Sequence, residues 1–201
     1  MPAVDRAFDG GLGRDSGRLN AHYSMRSGVK VYTHLSGRYG PYFTKLIAAT
    51  GSEALHVLDA LVSHQGDVPI RRHHTDGGGD SDHVFALCTL LGFQFARRIP
   101  DLKHRRLYIF GKPSDYPSLE PLIGGRINVA LIRAHWAEIL RIIASIRAGT
   151  VAPSVIMRQL ASYPRQNGVA TALRELGKLE RTLFTFDWVR IPNCGVRPGR
   201  S

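Results

Sequence analysis

Residues 68–91, VPIRRHHTDGGGDSDHVFALCTLL, constrain the fold more than any other stretch. A strand-like run through Val68, Ile70, His73 and His74 ends in Thr75-Asp76. Three glycines follow. Asp80-Ser81-Asp82 then opens an apolar helical run, Val84-Phe85-Ala86-Leu87. The order is a strand, a tight turn and a capped helix. Open α/β sheets place their chemistry outside the carboxyl end of a strand, at such a turn. Asp76 is the carboxylate that lands there. The glycines, having no Cβ, let backbone come close to a metal or a phosphate.

On either side of this stretch the pattern alternates between strands and helices. Residues 29–35, VKVYTHL, read as a strand with Val29, Val31, Thr33 and Leu35 on one face. Residues 42–50 form a second strand, and the turn clusters between them predict an antiparallel hairpin. A helix then runs from Ser52-Glu53 to Ser63, with Leu55, Leu58 and Val62 at helical spacing. Set between two strands, it predicts a crossover unit. FQFARRI, residues 93–99, alternates as a strand and carries arginines to its end. Residues 107–110 give another short strand, and the proline- and glycine-rich run 111–125 reads as a structured loop. The rest reads as helical. Val129, Ile132, Trp136, Ile139, Ile143 and Ile146 share one stripe over 128–147, which places Trp136 in a helix core. A short helix over 153–163 follows. A longer one over 167–186 carries a stripe of Val169, Leu173, Leu176, Leu183 and Phe186.

A hairpin, a crossover helix and a strand ending in aspartate is the order of an RNase H-like fold. The fold class read here is α/β, an RNase H-like mixed sheet of an antiparallel hairpin plus parallel strands, followed by an α-helical extension. The boundaries are an altered or disordered segment over 1–19, the core over 20–112, the helical part over 113–190, and a disordered basic tail over 191–201. An ordered strand near the start is only weakly signalled.

The 201 residues are 43% hydrophobic, enough to bury a real core. The formal charge of +11 exceeds what a neutral small-molecule enzyme needs. It suits a polyanion, and the arginine-rich balance favours nucleic acid over a merely solvated basic surface. Two distant cysteines, Cys88 and Cys194, make no disulfide framework, so a reducing cytoplasm is the expectation. Cys88 reads as a buried small hydrophobe. No apolar stretch reaches membrane-spanning length, so no membrane partner is expected.

Asp76 suits a hard divalent cation, magnesium or manganese. The same residue type also closes Asx turns, and alone the position fits either reading. Asp80 and Asp82 fit helix capping and dipole compensation. His73, His74 and His83 match no compact zinc spacing, and adjacent strand histidines point to opposite faces. The densest basic stretch holds Arg97, Arg98, Lys103, Arg105 and Arg106. Beside a metal-binding strand these would grip a phosphate backbone. Gly124-Gly125 lacks a following Lys-Ser/Thr, so it is no P-loop.

Taken at length, HHTDGGGDSDHVFALCTLLGFQFARRIPDLKHRRLYIFGKPSDYPSLEPLIGGRINVALIRAHWAEILRIIASIRAGT resembles the catalytic region of the Tn-three class of replicative transposases. SYPRQNGVATALRELGKLERTLFTFDW continues the resemblance downstream, and GVKVYTHLSGRYGPYFTKLIAATGSEALHVLDALVSH upstream. It covers residues 10–190. It implies an RNase H-like fold and a DDE triad of two aspartates and one glutamate. It also implies magnesium or manganese as cofactor, DNA as transposon ends and target, and full-length transposase as a protein partner.

Asp76 matches the second aspartate of that triad, with His74 where the family has tyrosine and Gly77 where it has threonine. An ungapped alignment puts Ala3 at the first aspartate, and Asp5 lies two positions away. The glutamate falls beyond Ser201, and the tail from about Ile191 departs from the family pattern. The family's large N-terminal DNA-binding regions have no counterpart here. Both ends therefore read as altered, as if a longer gene had been truncated or frame-shifted. One carboxylate of three cannot hold two divalent ions, so the expectation is a catalytically incomplete DDE transposase. The alternatives are a non-catalytic DNA-binding or interfering module, and a product that folds poorly.

Overall fold

β-Branched Val29, Val31 and Thr33 alternate with the larger Lys30, Tyr32 and His34 and draw the first sheet. β3 (Ser27–Leu35) and β4 (Pro41–Ala48) pair antiparallel, from Val29 opposite Ala48 to Leu35 opposite Pro41, with an irregularity between His34 and Leu35. Two short strands in the glycine-rich opening segment, β1 (Arg6–Phe8) and β2 (Arg18–Leu19), also pair antiparallel with β3. The computed structural model describes residues 6–8, 18–19, 27–36, 40–48, 52–63, 70–75, 81–99, 104–162 and 167–190. Ala3, Asp5, Asp76 with its three glycines, Asp80, Lys103 and the basic tail lie outside the described residues.

The hairpin's inward face is the one opposite to Val29, Val31 and Thr33. Tyr32 and His34 are buried, and Ile47 of β4 joins them. Aromatic residues fill more space per position than β-branched ones, and here they take the core side.

The predicted helix after the hairpin divides into a 3-10 turn (Glu53–Leu55) and α1 (Val57–Val62). β5 (Arg72–Thr75) follows, then α2 (Asp82–Leu91), then β6 (Gln94–Arg97). β5 and β6 pair parallel, so the observed crossover is β5–α2–β6. α2 has the signals its sequence carries. Ser81 in extended conformation accepts from the Val84 N–H at 3.3 Å, and Gly92 closes the helix at φ 91°.

The run 111–125 is more ordered than a loop. It holds two 3-10 turns (Pro113–Asp115 and Pro117–Leu122) and a strand, β8 (Ile123–Arg126). β8 pairs parallel with β7 (Leu107–Ile109). Strand structure therefore continues past Lys112. Glycine at 124 and 125 hid the strand, yet both are needed there. A Cβ at Gly124 would meet Arg106 Cβ at 2.6 Å, and Gly125 has φ 148°.

The helix expected over 128–147 is two, α3 (Val129–Ala134) and α4 (Trp136–Arg147), broken at His135. The break takes Trp136 off the stripe, and its side chain is 40% exposed rather than core. α5 (Pro153–Ser162) and α6 (Gly168–Arg190) are the last of the described elements. At 23 residues, α6 is about 35 Å long. Its buried side is largely small or polar: Ala170, Ala172, Leu173, Glu175, Gly177, Thr182 and Thr185. Leu183 and Phe186, expected in its apolar stripe, are exposed. The reason is that α6 acts as a spine that satisfies other elements' backbone. Glu175 accepts from the Asn128 N–H at 2.9 Å, and Thr182 Oγ1 accepts from the Tyr108 N–H at 3.0 Å.

The core runs from the hairpin through α1 and α2 to α4, α5 and α6. Val57, Leu58, Val84, Leu87, Cys88, Ile139, Ile146 and Leu173 are among its fully buried members. The whole is a mixed α/β arrangement of one antiparallel sheet, two parallel pairs and six α-helices among the described residues. None of the described helices is long and apolar enough to cross a membrane.

Candidate nucleic-acid interface

Parallel pairing fixes which residues share an edge. Across β5 and β6, Arg72 faces Gln94, His73 faces Phe95, His74 faces Ala96 and Thr75 faces Arg97. Both carboxyl ends therefore reach the same edge. The ladder extends one bond further, the Arg98 N–H donating to the Thr75 carbonyl at 2.9 Å. Asp76 is the next residue after Thr75 in sequence. Thr75 is buried, Arg97 half-buried and Arg98 exposed.

His73 faces inward and is buried, while its neighbour His74 is only half-buried. The His73 ring lies 4.9 Å from the ring of His34 and stacks on Phe95 at 6.0 Å. Tyr32 packs edge-on against His34 at 4.7 Å. Burial lowers both histidines, His34 to about 4 and His73 to about 3, the charge of His34 adding to the effect on His73. Both are therefore neutral near pH 7. This aromatic layer joins the hairpin to β5, so it sets where the strand end stands.

The return to the core at the same edge is the first turn of α2. Asp82 lies 3.1 Å from Arg181 of α6. Burial raises the Asp82 carboxyl, and Arg181, Lys178, His83 and Arg174 oppose that. His83 sits in the same turn, its Nε2 donating to the Ala170 carbonyl at 2.9 Å. Burial lowers it also.

The basic run 97–106 is not one surface. Arg97 and Arg98 end β6. Arg105 and Arg106 precede β7, where Arg106 Nη1 donates to the Pro121 carbonyl at 3.3 Å. Arg105 borders a groove of about 410 Å³ lined by Leu107, Leu119, Leu122, Phe186 and Val189. The run is thus divided between two parallel strand pairs.

A second basic group escaped the sequence reading. Arg174, Lys178 and Arg181 recur along α6 at spacings of four and three, which places them on one face. Lys178 and Arg181 lie over the Tyr108 ring at 5.1 and 5.3 Å. Lys178 also bonds Glu175 at 2.5 Å. The spacing was the available signal, masked by interleaved acids at Glu175 and Glu180.

Among the described residues no three His, Cys, Asp or Glu side chains converge as a metal-binding group.

The family model described as the Tn3 transposase DDE domain matches residues 8–195. The chain belongs to the Tn3 transposase DDE domain family. Relatives repeat the match over most of this chain. It is 49% identical over 181 residues, 90% of its length, to the transposase for transposon Tn501 of Pseudomonas aeruginosa. It is 50% identical over 189 residues, 94% of its length, to the transposase for transposon Tn2501 of Escherichia coli. A more distant one, the transposase for transposon gamma-delta of Escherichia coli, is 27% identical over 175 residues, 87% of this chain. These matches cover 18% of the Tn501 protein, 19% of the Tn2501 protein and 18% of the gamma-delta protein, so the Tn3-family chain described here spans about a fifth of their length.

Proposed function

We propose that the chain is the part of a Tn3-family transposase that presents Asp76 to DNA at the carboxyl edge of β5 and β6. The fold would be RNase H-like, with 20–112 as its core and 113–190 as its helical part. One observation carries the reading: the parallel register that sets Arg97 opposite Thr75, with Arg98 bonded to the Thr75 carbonyl. It supports an edge where two arginine positions stand beside the residue that precedes Asp76 in sequence, and an acid with guanidinium groups near it is the charge arrangement that a phosphodiester backbone and a divalent ion require together.

Magnesium or manganese is the ion the family implies, and Asp76 would be a ligand to it. When bound, such an ion stabilises negative charge developing on a phosphoryl oxygen. The chain's own contribution is to hold the DNA. Arg98 is exposed and Arg97 half-exposed at that edge, Arg105 and Arg106 extend the contact toward β7, and Lys103 lies in the segment between. The substrates would be transposon ends and target DNA, and the protein partner full-length transposase.

The chemistry would be incomplete in this chain alone. Ala3 stands at the position aligned with the first acid of the triad, and Asp76 matches one of three. The chain should bind DNA without joining it. The test is a strand-transfer assay on transposon-end DNA with magnesium, beside filter binding of the same DNA. Binding without joined product supports the reading. Robust joining overturns the incompleteness, and loss of binding overturns the interface. A second reading, a module that binds DNA and interferes with a full-length transposase, rests on the same arginines. It predicts that adding this chain slows joining by the complete enzyme.

A further inference from the structure

The last two turns of α6 leave apolar side chains uncovered. Leu183, Phe186 and Val189 are all exposed, Val189 at 60%. Phe186 and Val189 line the groove of about 410 Å³ that Arg105 borders. Buried Leu107 of β7 and half-buried Leu119 and Leu122 of the second 3-10 turn complete its apolar lining. The polar lining is Thr185, Arg105 and Arg190. Thr185 is buried, and its Oγ1 donates to the Arg181 carbonyl at 2.8 Å. The charged groups of the groove are therefore two guanidinium groups, and no acid among the described residues lines it.

A single exposed apolar residue needs no explanation, but a contiguous apolar surface rimmed by charge marks an interaction site. A groove of this size admits a few side chains rather than a whole helix. Wall residues one turn apart on α6 suit side chains that a partner helix projects at spacings of three and four. Guanidinium groups at the rim complement carboxylates, which they can bind through two parallel bonds. We infer that this groove docks an acidic amphipathic helix of a partner protein. Its apolar side chains lie against Leu119, Leu122, Phe186 and Val189, and its carboxylates on Arg105 and Arg190. Charge separates this occupant from two others. Residues 191–201 hold Arg197 and Arg200 and no acidic side chain, and a second copy carries the same formal charge of +11. Arg190 also complements the carboxyl end of α6, but that role calls for no apolar wall beside it. Arg105 is common to this groove and to the DNA reading, so the test is made without DNA and stands or falls apart from it.

The probe is a capped amphipathic peptide of leucine, alanine and glutamate, beside a counterpart with glutamine in place of every glutamate. The full chain, methyl-labelled at leucine and valine, is titrated with each at physiological salt and followed by NMR at Leu119, Leu122 and Val189. The glutamate peptide should bind at least about threefold tighter, as two exposed ion pairs allow. Arg190→Gln, at an exposed helix end, should reduce that preference. Arg158→Gln, at an exposed position of α5 outside the groove, should leave it unchanged. Phe186→Ser should weaken both peptides. Equal affinity for the two peptides overturns the inference, and so does no binding of either. A preference reduced as much by Arg158→Gln as by Arg190→Gln would reveal only diffuse attraction to a basic chain, and overturns it too. Contacts from Ile191 or Val196 to the groove methyls in the free chain would seat the chain's own tail there. A dimer that Phe186→Ser dissociates would seat a second copy, and tighter binding of octanoate than of the peptide would assign a fatty acid. Each of these three also overturns it.

Discussion

Gly177 of α6 lies directly against the backbone of Asp82, so that a Cβ at 177 would overlap the Asp82 carbonyl and approach its Cα. The obstacle is main chain at the start of α2, which cannot swing aside as a flexible side chain would. The two helices meet backbone to backbone here, with Thr89 Oγ1 donating to Glu180 Oε2 at 3.1 Å two turns further along. Gly177→Ala should gain about 1 kcal/mol of helix propensity. It should lose more than that to overpacking, which costs about 1–3 kcal/mol and more against rigid backbone. The expected result is a net lower urea midpoint at unchanged m-value. A midpoint at or above the wild type would show that α2 and α6 separate without cost.

Asp59 binds three elements together. Its Oδ2 lies 2.6 Å from Lys45 Nζ of β4, and its Oδ1 accepts from the Ser154 N–H of α5 at 2.9 Å. Burial pushes the carboxyl up, but bonds from His56, Lys45 and Ser154 outweigh it and hold the group well below the usual carboxylate range. Asp59→Asn keeps the size and one acceptor but removes the charge. It should destabilise by about 2–3 kcal/mol, in the range for losing a charge-assisted bond in a buried setting. The first amides of α5 should exchange faster before the rest. Uniform exchange throughout the chain would show that Asp59 does not anchor α5.

The His34–His73 pair predicts an acid sensitivity. Both rings have folded values lowered below the ordinary 6.5, to about 4 and about 3. The folded state therefore binds fewer protons than the unfolded chain below pH 6.5, and stability falls as pH falls through that window. The slope is about 1.4 kcal/mol per pH unit for each such group until its folded value is reached. Asp59, lowered from 3.8, adds a loss only below about pH 4. Urea midpoints measured from pH 7 to pH 4 should fall steadily, and His34→Phe or His73→Leu should flatten the curve. A wild-type midpoint constant from pH 6.5 to pH 4.5 would show the pair to be solvated.

Local signals carried well where one residue decides one event. Ser81 and Gly92 bound α2 because a hydroxyl at the cap and a left-handed closing residue act within a few residues. Pattern failed where distant partners decide. Tyr32 and His34 face the core because His73, itself stacked on Phe95, meets His34 there, which no periodicity within 29–35 contains. β8 was invisible because Gly124 and Gly125 lack strand propensity, and it forms because β7 supplies the ladder. The basic face of α6 was diluted by Glu175, an acid whose buried role is to bond the Asn128 N–H. At the candidate site, the strand ending before Asp76 was legible, and so was the arginine pair closing the next strand. That the two strands are parallel neighbours was not, since register is a tertiary fact.

The arginines at the β6 end predict a graded salt response. Each cation that neutralises a DNA phosphate steepens the dependence of log affinity on log salt by about 0.9 for duplex. Arg98 is exposed while its backbone is fixed by the Thr75 carbonyl, so its guanidinium is free to reach a phosphate without disturbing the strand. Arg98→Gln should weaken binding evenly across DNA sequences and reduce the salt slope by about 1. Arg141→Gln, at an exposed position of α4, should leave the slope unchanged and serves as the control. Filter binding between 50 and 200 mM salt, roughly the range over which phosphate contacts dominate, measures both. Equal slopes for Arg98→Gln and wild type would remove the β6 end from the interface, and with it the placement of DNA beside Asp76.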